Sequence, residues 1–534
     1  MRIFFLIVIL SFGLSLQAQQ VPLNEGVQNR LNELLMESDS SIFSGFRSMN
    51  WLELSQLNIL TKTSLADSVF GINASQQPGY FLRNISTSNW IKATGKNSVF
   101  TVDPYLDATL GKSNRKDGLL KGLSAGIRTQ AVFNNKFSFN LDIITNANQF
   151  PLYVDSQITL RNDIVPGANK ASHKNDRFLY SYLNFNATFT PGKYFLISAG
   201  YGKQFIGDGY RSLLLSDNAF NYPYVRLQAR LWKFTYNVLY NRYINKDWYM
   251  VDGESQPKYS TIHYLGINFS KRFQLGLFDN VTWLAKDTNF NRGFDVEYLN
   301  PLIFMRPLEF SIGSPDNAMV GLNFKYQLYK NGYLYGQIAL DDINLKRSLD
   351  NHAQHYGNKY ALQAGIWNKD IFGVPGLSYR FEWNGVRPYE YGHGVGDNIS
   401  LNYTHYYQPL ADPFGANFHE FISYFNYTNK RWYGSLENIY TIRGENPGLP
   451  YNNGEDLWGG EEGVPQFGSK TLQGIRHKYS YNRLSAGYLI NPANRLSLQA
   501  DVVYRSNKAV RTNQSEFYFS FGIRTNIFNF YHDF

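Results

Sequence analysis

Cysteine is absent from the chain, and only one long hydrophobic run occurs. Zero cysteines exclude a disulfide scaffold and any Cys-ligated zinc or iron–sulfur site. Charge is scarce as well: Asp, Glu, Lys and Arg make up 17% of the 534 residues, against roughly 25% in ordinary soluble domains. A mean hydropathy of −0.37 with one apolar run excludes a polytopic helical membrane protein. What the chain has instead is rings. Its 40 Tyr, 40 Phe and 9 Trp exclude a disordered segment. The result is a chain rich in aromatics and poor in charge, yet polar on average.

The single run is N-terminal. Met1-Arg2 is a short basic start, Ile3 to Leu16 is apolar, and Ser15-Leu16-Gln17-Ala18 offers a small-residue cleavage site. That is the pattern of a secretory signal peptide over residues 1–18, too short to span a bilayer. With no cysteine following it, lipoprotein anchoring is excluded. The exported chain must dissolve in the periplasm or enter another membrane without hydrophobic helices. The formal charge of +9 is scattered, and the densest basic stretch, Lys112 to Lys121, is broken by Asp117. Nucleic acid is not expected as a partner; anionic lipopolysaccharide or an acidic surface glycan fits the counter-charge better.

Two pattern regimes follow. In residues 19–96 the spacing is helical: Leu23, Val27, Leu31, Leu34 and Leu35 share one face, with Asn24, Glu25 and Arg30 on the other. A second helix is predicted through Trp51, Leu52, Leu54 and Leu57. This region reads as a small periplasmic cap or plug. From about residue 97 to 534 the period becomes two. Leu123, Ala125, Ile127, Thr129, Ala131 and Phe133 alternate with mostly polar neighbours, Asn134-Asn135 turn the chain, and Phe137, Phe139, Leu141 and Ile143 return. The same hairpin grammar recurs around Pro191-Gly192, Lys233 and Asn491-Pro492-Ala493-Asn494.

A soluble β-sandwich array and a transmembrane barrel both fit repeated hairpins in an exported chain. Alternating segments of about ten residues match the ~9–11 needed for a tilted strand to cross a bilayer. Aromatics gather at strand ends, as interfacial girdles require. The chain also ends Phe528-Asn529-Phe530-Tyr531-His532-Asp533-Phe534 after the alternating Phe517, Phe519, Phe521 and Ile523. A terminal aromatic on a last amphipathic strand resembles the signal read by barrel-assembly machinery, so Phe534 is its expected contact. The expected fold is therefore all-β: a transmembrane antiparallel outer-membrane β-barrel. Spending about 435 residues at about 24 per strand with its connection gives about 18 strands, an even number.

Tempting local motifs fail on inspection. Gly202-Lys203-Gln204-Phe205-Ile206-Gly207-Asp208 has phosphate-loop glycine spacing but lacks the Lys and Ser/Thr after its second glycine. His405 and His419 have no helical ligand spacing, so no metal or cofactor is expected. The loop with Glu455, Asp456, Glu461 and Glu462 around Trp458 lacks the regular ligand offsets of a calcium site. Ser400, His405 and Asp412 lie near one another in sequence, but nothing marks an activated nucleophile, and no catalytic residue is assigned.

Four blocks that break the alternation carry more information. They are Ile206 to Ser212; Tyr298-Leu299-Asn300-Pro301 with Glu309 and Ser314-Pro315-Asp316-Asn317; Leu334 to Gln337 with Leu340-Asp341-Asp342; and Arg387-Pro388-Tyr389 through Glu420. Ionisable residues among aromatics belong in a lumen or on loops. There they form either a salt-bridge network that holds a plug, or a glycan surface on which amides, carboxylates and guanidinium groups meet hydroxyls and rings stack on sugars. The residues assigned to such a polysaccharide site or lumen network are Asp208, Tyr210, Arg211, Asn300, Glu309, Asp316, Asn317, Asp341, Arg387, Tyr389, Tyr403, His405, Asn417 and Glu420.

These blocks also resemble a known family. Gly207-Asp208-Gly209-Tyr210-Arg211-Ser212-Leu213-Leu214-Leu215-Ser216-Asp217, followed by Asn221-Tyr222-Pro223-Tyr224, is similar to the Wzi-type capsule-assembly outer-membrane family. It is closer still to the Bacteroidota branch labelled gliding-motility protein RemB. Tyr298-Leu299-Asn300-Pro301, Leu334-Tyr335-Gly336-Gln337, Gln408 to Pro413 with Gly415 to Phe418, and Tyr488 to Pro492 follow in order. The resemblance implies an 18-stranded barrel with a periplasmic helical portion. It also implies a lectin-like role in binding or organising capsular polysaccharide or, in the gliding branch, support of adhesin movement through motility or adhesin proteins. A passive porin-like channel is the remaining alternative, with an esterase or phospholipase behind it.

Overall fold

The structure is a computed structural model that describes residues 21–37, 44–49, 51–56, 85–245, 256–286, 293–302, 316–341, 354–393, 401–448 and 452–534. The signal-peptide stretch, Glu309, Asp342 and Ser400 lie outside the described residues.

Eighteen strands close one antiparallel sheet on itself. In chain order they are β1 (Ser98–Ser113), β2 (Leu120–Phe133), β3 (Phe137–Asn148), β4 (Arg177–Phe189), β5 (Phe195–Gly202) and β6 (Tyr222–Leu231). Then come β7 (Phe234–Asn245), β8 (Gln256–Asn268), β9 (Phe273–Leu284), β10 (Asn317–Tyr329), β11 (Gly332–Asp341) and β12 (Lys359–Lys369). The last six are β13 (Leu377–Val386), β14 (Phe418–Asn429), β15 (Trp432–Glu445), β16 (Ile475–Asn491), β17 (Leu496–Ala509) and β18 (Thr512–Thr525). Each strand pairs with its sequence neighbour, and β1 meets β18 from Ala108↔Ile523 to Ser113↔Tyr518, which closes the ring. Closure gives the strand backbones partners without water, the condition for crossing a bilayer.

Connections are asymmetric. At one end they are two to seven residues long; at the other they reach 32. Asn134 and Asn135 take φ of 52° and 51°, the left-handed pair of a tight turn closed by Lys136 N donating to Phe133 O at 3.1 Å, so the Asn-Asn signal between β2 and β3 has a direct backbone cause. The two-residue period sorts side chains as the sequence predicts. Leu123, Ile127, Ile143, Leu484 and Phe521 stand 50% or more exposed on the outer wall, while Gln130, Asn140, Asp142 and Ser520 are buried on the inner one.

The lumen holds the chain's own segments. Helices α1 (Glu25–Glu37) and α2 (Trp51–Gln56) lie within it. Val27, Leu31 and Leu35 are buried as their spacing predicts, but so are Glu25, Gln28, Asn29 and Asn32. The polar face is not solvated, because the wall it meets is itself polar: Glu25 pairs with Arg380 of β13 at 2.8 Å, and Asn29 accepts from the same guanidinium. The connection 203–221 between β5 and β6 dips inward and places Ile206, Leu213, Leu214 and Leu215 in an apolar core with Tyr264, Phe278 and Phe414.

Two segments depart from the expected layout. The last strand stops at Thr525, and residues 526–534 turn into the lumen instead of extending it. Tyr182 packs on Phe528 and Phe530, Tyr153 packs on Phe534, and Arg505 donates to the Phe534 carbonyl. The aromatic tail fills interior space; its alternation was that of a packed coil, not of a strand.

The second departure is the block Tyr298-Leu299-Asn300-Pro301, which lies on the outer wall instead of in the lumen. Four successive carbonyls accept from outward side chains of β7 and β8: Tyr298 from Thr261 at 3.0 Å, Leu299 from Tyr240 at 3.0 Å, Asn300 from His263 Nε2 at 3.1 Å, and Pro301 from Tyr236. Beneath this strap His263 Nδ1 faces Asp279 Oδ2 at 3.3 Å, both fully buried, across a direct β8–β9 register pair. Asp279 is six residues from Phe273 at the turn end, roughly 15 Å up a tilted wall and so inside the hydrocarbon band. Irregular backbone survives at that depth only with its polar groups satisfied. Tyr298 closes the contact by packing with Val281, Trp283 and Ala318, while Val296, Leu299 and Leu302 face outward.

Candidate functional site

The inward loop after β5 carries a cationic turn that meets the wall, the tail and a neighbouring loop. The Tyr210 and Arg211 amides donate to the two oxygens of Glu382 on β13, at 2.7 and 3.0 Å. The Arg211 guanidinium reaches Glu420 of β14 at 3.1 Å, Asp533 of the tail at 3.2 Å and Asp412 at 3.8 Å. It lies 5.1 Å from the ring centroids of both Tyr210 and Tyr531. The Tyr210 hydroxyl sits between Asp533 at 2.7 Å and Glu437 of β15 at 2.9 Å. Asn384 donates to both Glu382 and Glu420 and ties the carboxylates together.

Charge balance follows from burial. Burial opposes the Arg211 charge, but Asp533, Glu420 and Asp412 outweigh it and hold the guanidinium protonated well above its ordinary value. Burial and the neighbouring Glu420 push the Asp412 carboxyl well above the usual carboxylate range, against the pull of Arg211. The Asp412 carboxyl thus holds its proton more tightly than a free carboxylic acid does. Asp208 belongs to a separate pair with Lys325 of β10 at 3.1 Å. Gly207, at φ 149°, sits where an added Cβ would strike the Gln337 amide at 2.3 Å; that amide also binds Ile206 O and accepts from Leu213 N.

The remaining assigned residues scatter over three other places. Arg387, Tyr389 and Asn417 clamp the long loops at the loop end. Arg387 donates to Asn358 and Ser469 carbonyls, and Tyr389 donates to the Asn452 carbonyl. Asn417, at φ 62°, donates to Gly444 and Gln473 carbonyls and accepts from Leu472 N. Tyr403, His405, Asn317 and Asp341 are buried beneath those loops; Tyr403 packs on Tyr391 at 6.1 Å, and Asn317 donates to Leu401 O at 3.4 Å. His405 spends both nitrogens on structure, Nδ1 accepting from Ile244 N and Nε2 donating to Asn221 O, and burial holds it down at about 3. Asn300 and Asp316 are neither lumen nor mouth residues. They belong to the outer strap, where Asp316 accepts from the Tyr298 hydroxyl. Their polarity matched a lumen signature, yet a strap that must satisfy backbone in lipid needs the same groups.

Sequence reading missed Glu382, Glu437 and Asp533. Glu382 and Glu437 interrupt apolar stretches at inward positions, so strict alternation counting marks them; Asp533 was hidden by treating the tail as strand. Among the described residues no cluster of His, Asp and Glu fits a metal ion.

A second feature is open space. A cavity of about 320 Å³ runs along the inner wall of β14–β18 and β1–β3, from Thr428, Lys430 and Arg431 at the turn end to Asn148 and Phe150. Near its middle Arg483 and Arg524 share Asp501, at 2.9 and 3.4 Å.

Closed ring, short turns at one end, long loops at the other and an apolar outer band define the class: an 18-stranded barrel of the outer-membrane type. No protein-family model and no curated protein sequence matches the chain. Among solved structures, Wzi of Escherichia coli, described as an outer-membrane protein involved in group 1 capsule assembly and a carbohydrate-binding β-barrel, is similar with a TM-score of 0.59 at 13% identity, covering 96% of this chain and 100% of that one. OprD of Pseudomonas aeruginosa has a TM-score of 0.43 at 12% identity over 84% of this chain and 98% of its own. The likeness to Wzi shows a shared fold.

Proposed function

We propose that this chain is a non-catalytic outer-membrane barrel that binds or organises surface polysaccharide through its long-loop face. The observation that carries this reading is the filled lumen. The inward loop, α1 and the tail are pinned by the Arg211 carboxylate cluster and the Glu25–Arg380 pair, which favours a binding surface over a passive channel. The loop face offers rings beside polar groups: Phe467 is 49% exposed and packs on His355, while Trp458 packs on Tyr407 among Asp456, Glu461 and Glu462. Aromatic faces of this kind stack on sugar rings. His405 is not free to act as a base, because both of its nitrogens are committed to backbone.

The test is binding of detergent-solubilised protein to a capsular polysaccharide fraction. Trp458→Ala and Phe467→Ala should weaken binding with the barrel intact; no binding by the unaltered protein overturns the reading. The alternative is a gliding-motility accessory, which the sequence blocks also resemble; it predicts instead that a deletion strain stops colony spreading while its capsule staining stays normal.

A further inference from the structure

We infer that the lumen cavity beside β16–β18 is a second carbohydrate subsite, open to the turn end and selective for a short acidic oligosaccharide bearing uronate carboxylates. It rests on the polysaccharide reading for the ligand class, but not on the loop face.

The chemistry of the walls points there. Arg483 and Arg524 project inward from β16 and β18, and each side chain keeps 31% of its surface exposed. Asp501 between them is 5% exposed and is saturated: it accepts from Arg483, Ser485 and Gln499. The group carries two guanidinium groups against the one Asp501 carboxylate, with Asp107 beside Arg524 and Glu437 beside Arg483 offsetting part of that charge, and both arginine side chains line the cavity. Planar guanidinium groups are the side chains best shaped to take a carboxylate. Tyr433, Tyr481 and Tyr518 line the same space and supply ring faces, and the Tyr433 hydroxyl is held by Ser497 and Gln499.

The cavity's other carboxylates are already engaged. Glu25 is bound to Arg380 and Asp533 to Arg211, Asp107 accepts from Thr525 N and the Tyr105 hydroxyl, and Glu437 accepts from the Tyr210 hydroxyl. At the turn end the mouth carries Lys430 and Arg431, which draw an anion inward. A volume of about 320 Å³ suits a few sugar units and not a polymer coil.

The experiment is calorimetric titration of the full detergent-solubilised barrel with trigalacturonate, and with maltotriose as the neutral arm. Trigalacturonate should bind, more weakly as salt rises, and Arg524→Gln should weaken it at least tenfold. Lys430→Gln, at an exposed turn, should weaken it several-fold and serves if Arg524→Gln does not fold. Phe467→Ala should leave this binding unchanged while reducing capture of the long polymer. Equal binding of maltotriose, or trigalacturonate binding untouched by both charge variants, overturns the subsite. Trigalacturonate binding that depends on Arg524, with no polymer capture, keeps the subsite and removes only the loop-face function.

Discussion

At the scale of single residues, the lumen is governed by a few buried charges whose removal has unequal consequences. Arg211 neutralises carboxylates from one strand, a loop and the tail. Arg211→Met leaves them facing one another, and loss of one partner from a buried ion network costs about 3–5 kcal/mol. The Arg211→Met/Glu420→Gln pair should recover part of that, read as the melting temperature of the folded, heat-modifiable band in detergent. Lysine at 211 is a poor substitute, because one ammonium cannot reach Glu420 and Asp533 together as the guanidinium fork does. Titration gives an independent check. His405 is held at about 3 in the fold against 6.5 ordinarily, so the fold favours its neutral form. Its contribution is complete above pH 6.5 and is lost as pH falls toward 3. Asp412 is shifted the other way, so its contribution is present at low pH and lost as pH rises through its raised value. Asp412→Asn keeps an oxygen for the Phe414 amide and should flatten the alkaline limb of a stability–pH curve; an unchanged limb would show that Asp412 does not hold its proton so tightly.

Single elements obey the solvent they meet. Helix α1 is amphipathic in sequence yet buried on both faces, since a polar lumen wall accepts Glu25, Asn29 and Asn32 as readily as a core accepts Leu31. The strap over β7–β9 shows the opposite boundary, backbone held against the lipid side by side-chain donors. Tyr236→Phe with Tyr240→Phe removes two of its four bonds, each loss costing about 1–3 kcal/mol where water cannot substitute. The natural absence of cysteine makes the measurement clean. A nitroxide on Leu302→Cys should be reached by lipid-soluble oxygen, and it should gain mobility in the double Phe variant. A label equally immobile in both proteins would remove the strap bonds from any anchoring role.

For the whole molecule, the decisive property is that the barrel encloses its own chain. Among the described residues a cavity of about 320 Å³ runs along one side, while another side is packed around Leu213, Leu214 and Leu215. Purified protein in a planar bilayer should therefore show no step-like openings, and replacing Leu213, Leu214 and Leu215 with serine should produce them. Step-like conductance by the unaltered chain would move the function to a channel.

How much of this was legible depends on what each signal reports. Alternation with period two, Asn-Asn turns and aromatic strand ends report the local contest between lipid and water, so the barrel, several of its hairpins and its approximate strand number could be read from the chain alone. The block Ile206 to Ser212 stood out for the same reason, as polar residues where alternation fails. Asn300, Asp316 and the tail from Asn526 to Phe534 were misplaced because a polar or aromatic residue looks alike whether it faces a lumen, a strap or a packed coil. The partners of Arg211 are separated from it by up to 322 residues, and the Arg483–Asp501–Arg524 group spans three strands. Such groupings come from closure and register, which are set by long-range pairing across the whole sheet. The sequence by itself determined a barrel with a wet interior; only the tertiary structure decided which segments fill it and which space is left.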